Sequence, residues 1–266
     1  MCISASLATF LLTLLRGNET MKKLILIALI AAGCSPVYVP NARNSPLFTK
    51  AGEFQGTAAL GNGVDVQTAA SITNHIGIMA NYSYEYSHGS QYTNDFDEDR
   101  YHYHQFFEGG VGYYENVKSW CYEIFAGYGK GEGRSYDSYT WWNNEDVLAT
   151  GKYERYFIQP AFGLNKKIMH VSFVPRISLV NFTEFSDGVR TQKINDSPRL
   201  FFEPAVVGRV NLADNHLILM FQAGVSVHPA SGELFYDYRP FQFSTGLGFR
   251  IGGIKKEKPA SQSGQN

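Results

Sequence analysis

Between residues 52 and 251 the chain alternates apolar and polar side chains with a period of two, and no lysine falls inside any of the long alternating runs. The cleanest run covers residues 76–88. Ile76, Ile78, Ala80, Tyr82, Tyr84 and Tyr86 share one parity, and Gly77, Met79, Asn81, Ser83, Glu85 and Ser87 the other. Successive side chains of a strand point to opposite faces, so this pattern predicts a sheet with one apolar and one polar surface.

Ten strands are expected, over residues 52–61, 64–73, 76–88, 101–115, 119–130, 152–164, 168–182, 199–211, 216–228 and 241–251. The connections alternate in length. Short turns fall at residues 74–75, 116–118, 165–167 and 213–215, and long loops at 89–100, 131–151, 183–198 and 229–240. Asn62-Gly63 is a tight hairpin on the long-loop side, a pair suited to a two-residue type I′ turn. Long loops at one end and short turns at the other describe an up-and-down antiparallel barrel that crosses a membrane, with the long loops outside the cell. An even strand number puts both ends of the barrel on the short-turn side.

A water-soluble barrel would also alternate, so the contents of the two faces decide which solvent lies outside. One face carries Trp120, Tyr122, Ile124, Ala126 and Tyr128, and further along Met169, Val171, Phe173, Pro175, Ile177 and Leu179. It has no charge at mid-strand. The other face reads Cys121, Glu123, Phe125, Gly127 and Gly129, then His170, Ser172, Val174, Arg176 and Ser178. Glutamates, arginines and glycines together suit a crowded interior where buried ions must be paired. The lysines fall in turns, loops, tails and strand ends. Tyr82, Tyr84, Tyr86, Tyr101, Tyr103, Trp120, Tyr156, Phe241 and Phe249 gather toward strand ends on the apolar face, where girdles of amphipathic rings meet headgroups. The apolar face is expected to meet lipid. Pro160, Pro175 and Pro204 sit mid-strand on that face, where a lost ladder hydrogen bond is poorly tolerated.

The formal net charge is −1 and no basic stripe occurs, so no nucleic-acid partner is expected. No apolar run of about 18 residues predicts a membrane-spanning helix. Met21-Lys22-Lys23 and the apolar residues 24–32 form a compact signal sequence, so residues 1–33 are a signal region. Its true start is expected at Met21; one long signal containing both apolar stretches is the other reading. The segment Ile30-Ala31-Ala32-Gly33-Cys34 resembles the lipobox of bacterial lipoproteins, although Ala31 stands where that family prefers leucine. The resemblance implies lipidation at Cys34; plain cleavage after small residues is the alternative. Residues 34–50, with Pro36, Pro40 and Pro46, are expected to be the lipid anchor and a linker to a barrel spanning 51–253. Residues 254–266 form a polar, disordered tail. Once the signal is removed, Cys34 and Cys121 are the cysteines left, and no disulfide framework is expected.

Thr245-Gly246-Leu247-Gly248-Phe249 resembles the barrel-assembly signal of Gram-negative outer-membrane β-barrel proteins, although here a tail follows it. The whole of residues 52–251 is similar to that family in architecture. The resemblance implies an outer-membrane location, lipid as surroundings and the barrel-assembly machinery as a partner, and it specifies no activity.

The inward face holds Glu85, Glu108, Glu123, Arg155, Arg176, Glu203, Arg209 and Arg250. Either these line a polar pathway or they pair into a plug, and ten strands enclose little more space than eight. With Phe106, Phe125, Phe157, Phe201 and Met220 also inward, a lumen filled by side chains is expected. His102 and His104 beside Glu108 have spacing compatible with a metal, and residues 95–99 carry alternate carboxylates that suit Ca²⁺, but the histidines suit a polar rim better and the carboxylates a charged, solvated loop. His170 and Ser172 point inward, away from lipid, so a barrel hydrolase is not expected. No metal and no cofactor is expected. Aromatic residues among Asp, Asn and Ser in the outer loops suit an extracellular protein or glycan. The sequence therefore predicts a non-enzymatic outer-membrane barrel with a filled lumen and a structural or surface-interaction role; a narrow channel for small solutes is the alternative.

Overall fold

The computed structural model describes residues 36–93, 96–137, 147–166, 168–186, 191–193, 198–212, 216–229 and 236–252, with the backbone alone at 89–93, 96–100, 137, 147 and 191–193. Thirteen strands occur: β1 (Pro36–Tyr38), β2 (Phe54–Leu60), β3 (Val64–Ser71), β4 (Ile76–Thr93), β5 (Phe96–Val117), β6 (Trp120–Asp137), β7 (Val147–Asn165), β8 (Met169–Ser186), β9 (Thr191–Lys193), β10 (Arg199–Leu212), β11 (Leu217–Val225), β12 (Asp237–Tyr238) and β13 (Phe241–Ile251). Strands β2 to β8 pair in chain order, β8 pairs with β10, β10 with β11, β11 with β13, and β13 returns to β2. These ten antiparallel strands form a closed barrel, as the alternation predicts. Closure runs from Thr245↔Leu60 to Ile251↔Phe54, so the expected assembly signal (Thr245, Gly246, Leu247, Phe249) lies in the strand that seals the ring.

The parity of the sequence is the parity of the wall. Phe243, Val111 and Ile158 face outward at 65 %, 56 % and 52 % exposure, whereas Glu108, Arg155, Arg176 and Glu203 face inward at 0 %. The outward apolar belt is bounded by aromatic pairs. Tyr122 meets Phe162 with ring centroids 6.1 Å apart near the short turns, and Tyr128 meets Tyr156 at 4.9 Å toward the long loops. Directly beyond the second pair the outward face turns ionic, with Lys130 Nζ 3.0 Å from Glu154. Lys152 and Glu184 follow at 2.9 Å.

Strands β4 to β8 continue past this boundary, which corrects the expected loops at 89–100, 131–151 and 183–198: much of each is strand. Lys130 and Lys152 are accordingly within strands. The lipid-type alternation stops where the wall leaves the belt, so the hydrogen-bonded extension carries no apolar signature in its sequence. A bulge at Lys152/Tyr153 marks the same level.

The three outward prolines form one row. Pro204 is opposite Pro175 in the β8–β10 register. The β7–β8 register stops at Ile158↔Ile177 and resumes at Phe162↔Phe173, which sets Pro160 against Pro175. Proline has no N–H to give to the ladder. Across that interval the inward side chains supply the link instead, since Arg176 donates from Nε to Gln159 Oε1 at 2.9 Å and from Nη2 at 2.5 Å.

The largest departure from expectation is at the start of the chain. Residues 36–48, expected to be a linker outside the barrel, are buried throughout and run through its lumen. Val37 lies against Gly133 and Gly151 in the long-loop extension, and β1 pairs in parallel with β12 there. Phe48 lies against Gly77 and Tyr114 at the short-turn end, after which Gly52, at φ 78°, turns the chain into β2. The strap therefore descends from the long-loop mouth to the short turns. The barrel's first and last strands do end on the short-turn side, but Pro36 does not.

Candidate functional site

The site the fold builds is this occluded lumen, and its first requirement is backbone satisfaction. An irregular segment shut away from water must find a partner for each N–H and C=O. Inward amides and ions of the wall provide them. Gln242 Nε2 donates to Pro40 O at 3.1 Å, Gln67 Nε2 to Ala42 O at 2.9 Å, Gln159 Nε2 to Asn44 O at 2.7 Å and Gln55 Nε2 to Pro46 O at 2.9 Å. In the other direction, Ala42 N donates to Asp65 Oδ1 at 3.3 Å, Arg43 N to Gln222 Oε1 at 2.9 Å and Phe48 N to Glu123 Oε1 at 3.2 Å.

At the centre lies a charged layer. Glu108 receives Arg155 Nη2 at 2.5 Å on one carboxylate oxygen and Arg176 Nη2 at 3.3 Å on the other. Asn41 of the strap sits between the same groups. Its Nδ2 donates to Glu108 at 2.9 Å, and its Oδ1 accepts from Arg155 at 2.5 Å and Arg176 at 3.0 Å. Glu203 accepts from Tyr38 OH and Ser178 Oγ, both at 2.7 Å, and has Arg43 Nη2 3.6 Å away. Tyr38, Asn41 and Arg43 are strap residues, so the network is complete only with the strap in place. Arg155 lies 4.2 Å from the centroid of the Phe106 ring and Arg176 4.7 Å from that of Phe157, which covers the guanidinium faces.

Apolar layers close the charged layer above and below. Val37, Tyr38, Phe106, Tyr153, Phe182, Phe201 and Tyr236 pack together toward the long loops. Phe48, Met79, Tyr114, Phe125 and Phe157 do so toward the short turns. Water is excluded from both sides, which strengthens every hydrogen bond inside and raises the cost of losing any one.

The expected polar network divides into four parts. Glu108, Arg155, Arg176 and Glu203 meet at the centre. Glu123 and Arg209 instead hold the strap's lower end: Ser45 Oγ donates to Glu123 at 3.2 Å, and Arg209 Nη1 donates to Pro46 O at 3.2 Å and Gln55 Oε1 at 3.0 Å. Arg250 is buried near the short turns, and its Nε and Nη2 have no hydrogen-bond partner among the described residues. Glu85 lies apart at the rim, 3.3 Å from His102 Nε2 and 2.8 Å from Arg239 Nη1. His104 Nε2 is 2.6 Å from Tyr153 OH. Among the described residues no group of three His, Cys, Asp or Glu is arranged to hold a metal. Cys121 is buried, with Sγ 3.6 Å from Phe48 O. Cys34, residues 138–146 and the C-terminal tail lie outside the described residues.

The lumen is therefore filled by the protein's own chain as well as by wall side chains, which corrects the expectation of side chains alone. Tyr38, Asn41, Arg43, Asn44 and Ser45 are the residues sequence reading missed. Their trace in the sequence is indirect. Inward Gly77, Gly133 and Gly163 leave hollows that Phe48, Val37 and Leu47 occupy, since a Cβ on any of the three would collide with the strap.

No protein-family model matches the chain, and no curated protein matches it. Among solved structures, the translocator domain of the autotransporter NalP from Neisseria meningitidis is similar, with a TM-score of 0.43 and 11 % identity over 75 % of this chain and 87 % of that one. The class defined by the fold and lumen is a closed, ten-stranded antiparallel β-barrel occluded by its own N-terminal strap.

Proposed function

We propose that this protein is a non-conducting β-barrel of the bacterial outer membrane, carrying a lipid at Cys34, with a structural or surface-interaction role. The observation that carries the membrane reading is the belt. On β8 its outward residues from Met169 to Leu179 (Met169, Val171, Phe173, Pro175, Ile177 and Leu179) carry no charge, and a tilted strand of about 9–11 residues crosses a hydrocarbon core. Folding such an apolar exterior into water would leave a contiguous patch far larger than soluble monomers expose. The long-loop side is the extracellular one on this reading, since outer-membrane barrels keep their short turns in the periplasm. Partners are then lipid around the belt, the barrel-assembly machinery during insertion, and an extracellular protein or glycan at the outer loops.

The filled lumen supports a closed state over the narrow channel. The proposed role is one without catalysis and without a cofactor. The test is planar-bilayer recording of the purified full chain beside a variant in which residues 36–48 become a Gly-Ser segment of equal length. We expect no steady conductance from the first and open-channel steps from the second. Steady conductance from the unaltered chain would replace this reading with the channel.

A further inference from the structure

We infer that the strap carries the amino-terminal end of the exported chain outward through the barrel, so that the residues before Pro36 stand on the same side as the long loops. Combined with the lipid proposed at Cys34, on which this part of the inference rests, the anchor is a surface-facing one, reached through the protein's own lumen.

The direction of the strap is read from its contacts in order. Val37 is level with Gly133 and Gly151, beyond the Tyr128–Tyr156 pair and the Lys130–Glu154 ion pair that end the apolar belt. Tyr38 follows against Tyr153 and Phe201, with ring centroids at 5.3 Å and 4.9 Å. Asn41 is next, at the central ions, then Pro46 at Arg209 and Gln55, and then Asn116 Nδ2 donates to Phe48 O at 2.8 Å beside a short turn. Every contact agrees with one polarity. A second, independent fixture holds the upper end, where β1 pairs with β12 and Arg239 N donates to Tyr38 O at 3.0 Å.

Covalent reach does the rest. Two residues span at most about 7 Å, so the chain between Cys34 and Pro36 is too short to return through the barrel to the short-turn side. An inner-leaflet anchor on Cys34 and a seated strap are therefore mutually exclusive.

The experiment uses the full chain, signal included, in a host with an outer membrane. One short epitope is inserted between Ser35 and Pro36, or, in separate proteins, within residues 138–146 or at Val117–Lys118. Intact and permeabilised cells are stained with an antibody that cannot cross membranes, and retarded gel mobility without heating confirms that each protein is folded. We expect the 35/36 epitope to stain as the 138–146 epitope does, on intact cells, and the 117/118 epitope only after permeabilisation. If the 35/36 epitope follows the 117/118 epitope, the inference fails. If instead the 138–146 epitope is hidden on intact cells, the membrane orientation proposed above fails, and agreement of the 35/36 epitope with 138–146 still upholds the path of the strap. Repeating the stain in Cys34→Ser separates strap from lipid: unchanged staining supports the strap as what sets the side, and staining lost or moved to the other side overturns it.

Discussion

Two sets of ion pairs lie on opposite faces of the barrel wall. Glu108 with Arg155 and Arg176 is fully buried between aromatic layers, and Lys130–Glu154 and Lys152–Glu184 stand on the outward face of the extension. Their distances overlap, yet their roles differ. The lysine side chains are 68 % and 55 % exposed, so water already solvates them and salt screens them. The central ions are fully buried, and each is held by three or more partners, at least one of them from the strap. Distance alone says little about an ion pair; what surrounds it decides what its loss costs.

Substitutions at each place test that contrast. Glu108→Ala leaves two buried guanidiniums without their carboxylate and is expected to cost about 3–5 kcal/mol, read from denaturant unfolding in lipid vesicles; a loss within error would mean that water reaches the centre. The apolar belt occupies the outward face between the short turns and the rim pairs. There Ile158→Arg places a charge near mid-height on the outward face and should cost about 2–4 kcal/mol in vesicles if lipid lies outside, whereas neutrality would return the belt to water. Asn41→Ala keeps every ion but removes the amide between them, and about 1–3 kcal/mol is expected in the same assay. Lys152→Ala is expected to leave the unfolding midpoint where it was, and a clear destabilisation would show the rim pair to be less wet than its exposure indicates.

The barrel was legible because its code is local. Parity at Ile76, Ile78 and Ala80, or at Leu217, Leu219 and Phe221, reports the face of each residue with no knowledge of its neighbours in space. The ten strands, their inward ions and the sealing strand all follow from it. Where the local period loses its apolar half, as in residues 131–137, the sequence no longer marks the strand. Arg155 and Arg176 were identified as inward, but their shared partner Asn41 was not, because nothing in a non-periodic stretch with three prolines marks it as interior.

The wall is thus written in the chain: a closed sheet, which of its faces is apolar, and the set of charges that must find partners inside. What those charges meet depends on the folded ring. Asn41 lies 67 residues from Glu108 and Pro40 lies 202 from Gln242. Contacts of that separation leave no period in the chain, because they exist only once the ring has closed around the strap.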